Sequence, residues 1–166
     1  MIKSDYDKRE TPLFSVITVT YNAEKELPAT LKSVREQTFD SYEHLIIDGA
    51  SSDATLRIAR DGAPESQLLA SSPDKGLYDA MNKGLDMAKG EYVVFLNAGD
   101  AFHSRDTLRL LADKIMDNDF PGYLPSHSPE WLRRQYRNSP TPYAAGSGNV
   151  RCPLPAVYCQ YRSPTQ

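Results

Sequence analysis

The stretch "LFSVITVTYN" constrains this chain more than any other. From Phe14 to Thr20 it is apolar or β-branched at every position but Ser15. That is the pattern of a strand buried on both faces, which belongs to a parallel sheet covered by helices. Comparable runs recur: "YEHLIID" ending at Asp48, "QLLAS", and "YVVFLN" ending at Asn97. Segments with helical spacing lie between them. Leu27, Leu31 and Val34 form one stripe, with Asn22 expected as its cap and Pro28 admissible only in the first turn. "GASSDATLRIAR" reads as a Gly/Ser loop and a short helix capped by Ser52 or Asp53. Leu77, Ala80, Met81, Leu85 and Ala88 make an i, i+3, i+4 stripe that Gly90 is expected to close. "DTLRLLADKIMDN" is a last helix, capped by Ser104 or Asp106. Alternating strands and helices of this kind predict an α/β fold, a doubly wound, mostly parallel sheet flanked by helices.

The strands end in polar residues: Thr20-Tyr21-Asn22, Asp48-Gly49, and Asn97-Ala98-Gly99-Asp100. Taken singly, each is an ordinary turn. In a parallel sheet, however, the three ends share one edge, and open α/β sheets bind ligands at the carboxyl ends of their strands. The convergence favours a ligand site over three unrelated turns. No G-x-G-x-x-G and no Walker lysine motif follows any strand, so a nucleotide would be held by side chains rather than by a glycine cradle. Asp48 can accept hydrogen bonds from a base edge, or cap a helix instead. Tyr21 can lie against the face of a base. Asp100, helped by Asn97, offers oxygen ligands of the kind Mg2+ or Mn2+ takes, with substrate phosphates completing the shell.

A net charge of −3 gives no general basic surface, which argues against nucleic acid as the partner. No apolar stretch approaches the roughly 18–20 residues that cross a bilayer. The polar start "MIKSDYDKRE" lacks the apolar block of a secretory signal, so a cytoplasmic protein is expected. Cys152 and Cys159 match no common zinc pairing. Composition changes sharply near Phe120. Residues 1–120 carry 14 Lys+Arg against 21 Asp+Glu, whereas residues 121–166 carry five Arg and one Glu. The later segment also holds eight of the twelve prolines and no Lys, Asp, Ile, Met or Phe. It has too little apolar material for a core. It reads as a Pro-rich interaction tail on an acidic or lipid surface, or as a frame-shifted stretch, the second being favoured because the missing residues span charged and apolar classes alike. Shifting the reading frame after codon 120 should then restore alternating strands.

Taken together, "SVITVTYNAEKELPATLKSVREQT", "HLIIDGASSDAT" and "DKGLYDAMNKGLDMAKGEYVVFLNAGDAF" resemble family 2 glycosyltransferases with the GT-A fold, most of all the bacterial branch that builds exopolysaccharides such as colanic acid. The resemblance covers residues 13–120, leaving 121–166 as an irregular tail. It implies an inverting, metal-dependent transfer of a sugar from a nucleotide diphosphate sugar to a saccharide or lipid-linked saccharide. Such an enzyme works in the cytoplasm, with peripheral association at the inner face of the membrane. The resemblance also implies that Thr20, Tyr21 and Asn22 line the nucleoside pocket and that Asp48 binds the base. Asp79, Asn82 and Lys83 would contact the nucleotide sugar. Asn97, Gly99 and Asp100 fill the place of the family's Asp-x-Asp motif, with Asp100 as the metal ligand for Mg2+ or Mn2+. Here Gly99 stands where many members carry a carboxylate. Inverting transfer also needs a base to take the acceptor's proton. The family draws it from the second half, where this chain offers only Glu130, and no catalytic residue is assigned. "AVYCQYR" faintly resembles the family's acceptor-side strand. A non-catalytic nucleotide-sugar-binding domain is the alternative reading.

Overall fold

The computed structural model describes residues 11–62 and 67–116, together with the backbone of residues 156–158. In chain order the elements are β1 (Phe14–Thr20), α1 (Leu27–Arg35), β2 (Tyr42–Asp48), α2 (Thr55–Asp61), β3 (Gln67–Ser71), α3 (Leu77–Met87), β4 (Tyr92–Phe95), α4 (Thr107–Met116) and β5 (Ala156–Tyr158). The strands form one sheet in the order β3-β2-β1-β4-β5, every pair parallel. The doubly wound expectation is met, and β1 is buried along its whole length, its Ser15, Thr18 and Thr20 included. β5 falls within "AVYCQYR" and pairs with β4 from Val93↔Ala156 to Phe95↔Tyr158. The rest of the 121–166 segment, including Glu130, Cys152 and Cys159, lies outside the described residues.

Each face of the sheet carries its own core. On one face Phe14, Val16, Val94 and Leu96 pack with Val34 of α1 and Leu108 and Ala112 of α4. Beside them Leu27, Leu31, Ile46 and Ala59 join α1 to α2. On the other, Ile17, Val19, Leu45, Ile47, Val93 and Phe95 meet Ala80, Met81 and Leu85 of α3. The period of two in β1, Phe14 and Val16 against Ile17 and Val19, sorts the strand between these two cores. Each such fully buried side chain contributes about 1.5–3 kcal/mol of transfer free energy. No helix among the described residues is long and apolar enough to cross a membrane.

Several helix ends differ from expectation. α1 starts at Leu27 with Pro28 in its first turn, but Glu26 precedes it and no side chain caps it. Asn22 sits earlier, at φ 47°, and its side chain bonds elsewhere. For α2, Ala54 holds the cap position and no side chain caps it, while Asp53, one residue earlier, accepts the Thr55 N–H at 2.9 Å. α3 ends at Met87 and Ala88, before Gly90. Gly90 instead packs against β1, where a Cβ would lie 2.5 Å from the Ser15 nitrogen. At the start of α4 Ser104 Oγ accepts Asp106 N–H at 3.1 Å, as its expected capping role requires, and a second partner comes from a distance: Leu108 N–H donates to Gln37 Oε1 at 3.0 Å, while Asp106 accepts from the Thr38 hydroxyl at 2.6 Å. A sequence window cannot show a cap supplied some 70 residues away.

Candidate nucleotide-sugar site

Strand register brings the polar ends level. Thr20 pairs with Asp48, and Asp48 with Ser71, so β1, β2 and β3 finish on one line. The chain after β4 joins them, because Ala98 N–H donates to Val19 C=O at 3.1 Å. Strand order reverses between β1 and β4, the point where open α/β sheets leave a crevice. A cavity of about 500 Å³ opens along this edge, lined by Val19, Thr20, Tyr21, Gly49, Pro73, Asp74, Gly76, Leu77 and Ala80.

The walls are cross-linked loops. Gly49 N–H donates to Thr20 C=O at 2.9 Å, and Asn22 N–H to Ser51 Oγ at 2.8 Å. Asn22 Oδ1 in turn accepts Ser52 N–H at 2.9 Å, and Ala23 N–H reaches Thr55 Oγ1 at 2.8 Å. Glu24 and Asp53 complete a reciprocal pair, Glu24 N–H to Asp53 Oδ2 at 3.2 Å and Ala54 N–H to Glu24 Oε2 at 3.0 Å. Asn22 therefore ties the β1 loop to the β2 loop.

Asp48 has an interior role in this arrangement. It is 0% exposed and does not line the cavity. Its Oδ2 accepts Ser51 N–H at 2.9 Å and Ser71 Oγ–H at 2.7 Å, and its Oδ1 accepts the Ser51 hydroxyl. The carboxylate thus fastens the turn after β2 to the end of β3. Thr20 and Tyr21 do line the cavity. Tyr21 is 66% exposed, a large ring held at the rim, and the buried Thr20 Oγ1 has no hydrogen-bond partner among the described residues.

In α3, Met81 and Leu85 are core and Tyr78 packs against it, while Asp79, Asn82 and Lys83 are half-buried on the polar side. Lys83 Nζ donates to Pro73 C=O at 2.8 Å and Ser72 Oγ at 3.1 Å, and pairs with Asp79 at 3.6 Å. Asp79 also accepts Lys75 N–H at 3.1 Å. The two charged residues brace the β3–α3 loop, one wall of the cavity.

The Asn97–Asp100 turn is pinned to α1. Buried Thr30 donates its hydroxyl to Asp100 C=O at 2.8 Å and accepts Gly99 N–H at 3.0 Å. Gly99 holds φ 97°, a left-handed conformation that a residue with a Cβ rarely adopts. Burial raises the Asp100 carboxyl pKa above the usual carboxylate range, against a backbone hydrogen bond from Asn97 that lowers it. Asn97 Oδ1 is a buried acceptor with no partner among the described residues. An orphaned amide oxygen on Asn97 and a partly desolvated carboxylate on Asp100, in one four-residue turn, are oxygen donors of the kind a hard divalent cation takes. Among the described residues no group of three or more His, Cys, Asp or Glu could hold a metal. A cation here would therefore depend on phosphate or water oxygens for its remaining ligands.

Sequence reasoning missed Gly49, Asp74, Ser71 and Thr30. "SPDKG" carried a signal for one of them: an Asp two residues before a Gly is a common Asx turn, and Asp74 Oδ1 accepts Gly76 N–H at 2.8 Å. Thr30 carried none, since mid-helix threonine has no distinctive pattern.

The sequence matches the family model described as "Glycosyl transferase family 2" over residues 15–154. The chain belongs to glycosyl transferase family 2. A "PGL/p-HBAD biosynthesis glycosyltransferase" of Mycobacterium bovis is 40% identical to this family 2 chain over 111 residues, covering 65% of the chain and 43% of the relative. The chain spans less than half the length of that curated relative. Among solved structures, Mannosyltransferase PcManGT from Pyrobaculum calidifontis, in complex with GDP-Man and Mn2+, superposes with a TM-score of 0.59 at 28% identity, over 68% of this chain and 34% of its own. S. aureus TarS in complex with UDP-GlcNAc gives a TM-score of 0.57 at 31% identity, over 63% of this chain and 31% of its own. The GT-A fold expected of a family 2 member is the fold observed. The family match also runs well past residue 120, beyond the span on which the resemblance was read.

Proposed function

We propose that this domain binds the nucleotide of a nucleotide diphosphate sugar in the cavity at the sheet's carboxyl edge and transfers the sugar to a saccharide or lipid-linked saccharide acceptor with inversion, in polysaccharide biosynthesis. One observation carries the reading: the cavity lined by Thr20, Tyr21 and Asp74 adjoins the Asn97–Asp100 turn through the Ala98–Val19 hydrogen bond. Nucleoside and diphosphate would then fall on consecutive strand ends. Tyr21 offers a face for the base. Asn22 and Asp48 act by holding the loops that shape the pocket, Asp79 and Lys83 by bracing its far wall, and Asn82 lies beside them on α3. Asn97 and Asp100 would hold Mg2+ or Mn2+, and Gly99 gives their turn its shape. When bound, such an ion neutralises charge on a departing diphosphate. The solved structure of PcManGT in complex with GDP-Man and Mn2+ supports a nucleotide-sugar donor and a divalent cation as ligands of this fold.

The test is calorimetry with UDP or GDP plus Mn2+, followed by an assay for nucleoside diphosphate release from donor sugars with a saccharide acceptor. Binding with release supports the transferase. Binding without release supports the non-catalytic domain. No binding of either nucleotide removes both.

A further inference from the structure

Thr30 is a polar residue on the buried side of α1. Leu27, Leu31 and Val34 make that side apolar, and Thr30 among them is 0% exposed. A buried hydroxyl is costly unless it is bonded, and a helical threonine commonly returns its proton to the carbonyl one turn earlier. Here the proton goes to Asp100 C=O at 2.8 Å, while the oxygen accepts Gly99 N–H at 3.0 Å. One side chain thus grips the backbone on either side of the Gly99–Asp100 pair. Gly99 has no side chain to hold it, and the turn's own closing bond runs from Asp100 N–H to Asn97 C=O at 2.9 Å.

The contact continues down α1 as a ladder. Ser33 Oγ accepts Phe102 N–H at 3.3 Å, and Gln37, just past the helix end, donates Nε2–H to Ser104 C=O at 2.8 Å. Thr30, Ser33 and Gln37 are spaced i, i+3 and i+7, which puts them on one line along the helix. They meet the chain after β4 in the same order. Within this ladder only Thr30 reaches the turn that carries Asn97 and Asp100; the other rungs hold the chain beyond it.

We propose that Thr30 is a positioning residue for the cation: its hydroxyl sets the backbone from which Asn97 and Asp100 offer oxygen to Mg2+ or Mn2+. Removing it should weaken the metal response without altering either ligand side chain. The proposal rests on the reading of this turn as the cation site and adds the group on another element that shapes it. Groups that orient metal ligands from behind are typically worth about 10- to 100-fold in metal affinity. Thr30 acts through the backbone, so the lower end of that range is expected.

Three variants test it. Thr30→Val keeps the shape and removes the hydroxyl, Thr30→Ser keeps the hydroxyl, and Ser33→Ala cuts the ladder one rung beyond the turn. The measurements are calorimetry with UDP and with GDP, each with and without MnCl2, and electron paramagnetic resonance of Mn2+ bound in the presence of nucleotide. In Thr30→Val the gain in nucleotide affinity given by Mn2+ should fall about 10-fold, with metal-free binding unchanged and the bound-Mn2+ signal falling in step. Thr30→Ser should retain the gain. Ser33→Ala should retain it too, even where its urea midpoint drops as far as that of Thr30→Val. Should circular dichroism show Thr30→Val unfolded, Thr30→Ala is read in the same way. An unaltered Mn2+ gain without the hydroxyl, or an equal loss in Ser33→Ala, overturns the assignment of Thr30 alone. A wild type whose nucleotide affinity shows no response to Mn2+ overturns the cation reading of the turn, and the assignment with it.

Discussion

Replacing Asp48 with alanine separates two roles that a strand-end aspartate can have. The carboxylate is fully buried and receives three hydrogen bonds, from Ser51 N–H, the Ser51 hydroxyl and the Ser71 hydroxyl. A hydrogen bond to a charged group is worth about 1.5–3 kcal/mol, but the two hydroxyls sit on partly exposed serines and can turn to water. Ser51 N–H is the donor least able to find a new partner, so its loss dominates. The expected destabilisation is about 3 kcal/mol, well below the sum of three bonds. Asp48→Asn should cost only about 1 kcal/mol, because the amide oxygen can replace Oδ2 while the Ser51 hydroxyl turns to accept from the NH2 group. Urea denaturation of the two variants and the wild type, with unchanged m-values, measures the difference. Loosening the turn also loosens Ser51 and Ser52, the partners of Asn22, so nucleotide affinity should fall together with stability. The opposite pattern would refute the argument: Asp48→Ala within about 0.5 kcal/mol of wild type yet unable to bind nucleotide, which marks the carboxylate as a ligand group.

Three further outcomes follow from the same geometry. His44 is buried against Thr18 Oγ1 at 2.9 Å and its pKa is lowered by burial from 6.5 to about 4. The unfolded chain therefore takes up this proton first, and stability, complete above about pH 6.5, should fall by about 3 kcal/mol as pH drops toward 4. Denaturation across that range checks it, and a slope unchanged in His44→Gln would remove His44 as its source. Gly84→Ala should destabilise by about 1–2 kcal/mol despite alanine's better helix propensity, since its methyl would stand 2.6 Å from Ile17 Cγ2 between α3 and β1; a urea midpoint at or above wild type would contradict the packing. Asp100→Asn should reduce the gain in UDP or GDP affinity given by Mn2+ at least tenfold and leave metal-free binding intact, because Thr30 anchors this residue through its backbone; titrations with an unaltered metal response would detach Asp100 from the ion.

Strand positions were legible because runs of β-branched and apolar residues suit the covered strands of a parallel sheet, even with polar residues such as Ser15 and His44 buried among them. Phe14–Thr20, Tyr42–Asp48 and Gln67–Ser71 fall where the apolar runs placed them. The fourth run was read two residues long: Leu96 is still buried and bonds to Ile17 C=O, but the ladder closes at Phe95. The helix faces were legible for a related reason, a period of 3.6 on a surface that must cover a sheet. Caps were not, because the partners of Asn22 and Leu108 are distant in sequence and a capping residue looks the same whichever backbone it serves. The same limit governed the site. Sequence pattern located the edge where ligands gather, but could not distinguish a carboxylate turned inward, Asp48, from one turned outward, Asp74.

That distinction depends on what each carboxylate meets, and glycine placement decides it. Asp48 meets two serines and the Ser51 amide, enough donors to satisfy it without solvent or ligand. Asp74 has one oxygen satisfied by Gly76 and the other lodged over a residue with no side chain, so its remaining acceptor capacity is directed at the cavity. Asn97 and Thr20, with buried oxygens lacking partners among the described residues, stand in the same condition on neighbouring strand ends. Leaving a buried polar atom unpaired costs about 1–3 kcal/mol. The fold thus supplies Asp48 with three donors, and of the three buried oxygens it leaves unpaired among the described residues, two, Thr20 Oγ1 and Asn97 Oδ1, belong to the strand ends at the carboxyl edge, while Gln67 Oε1 lies at the other end of β3.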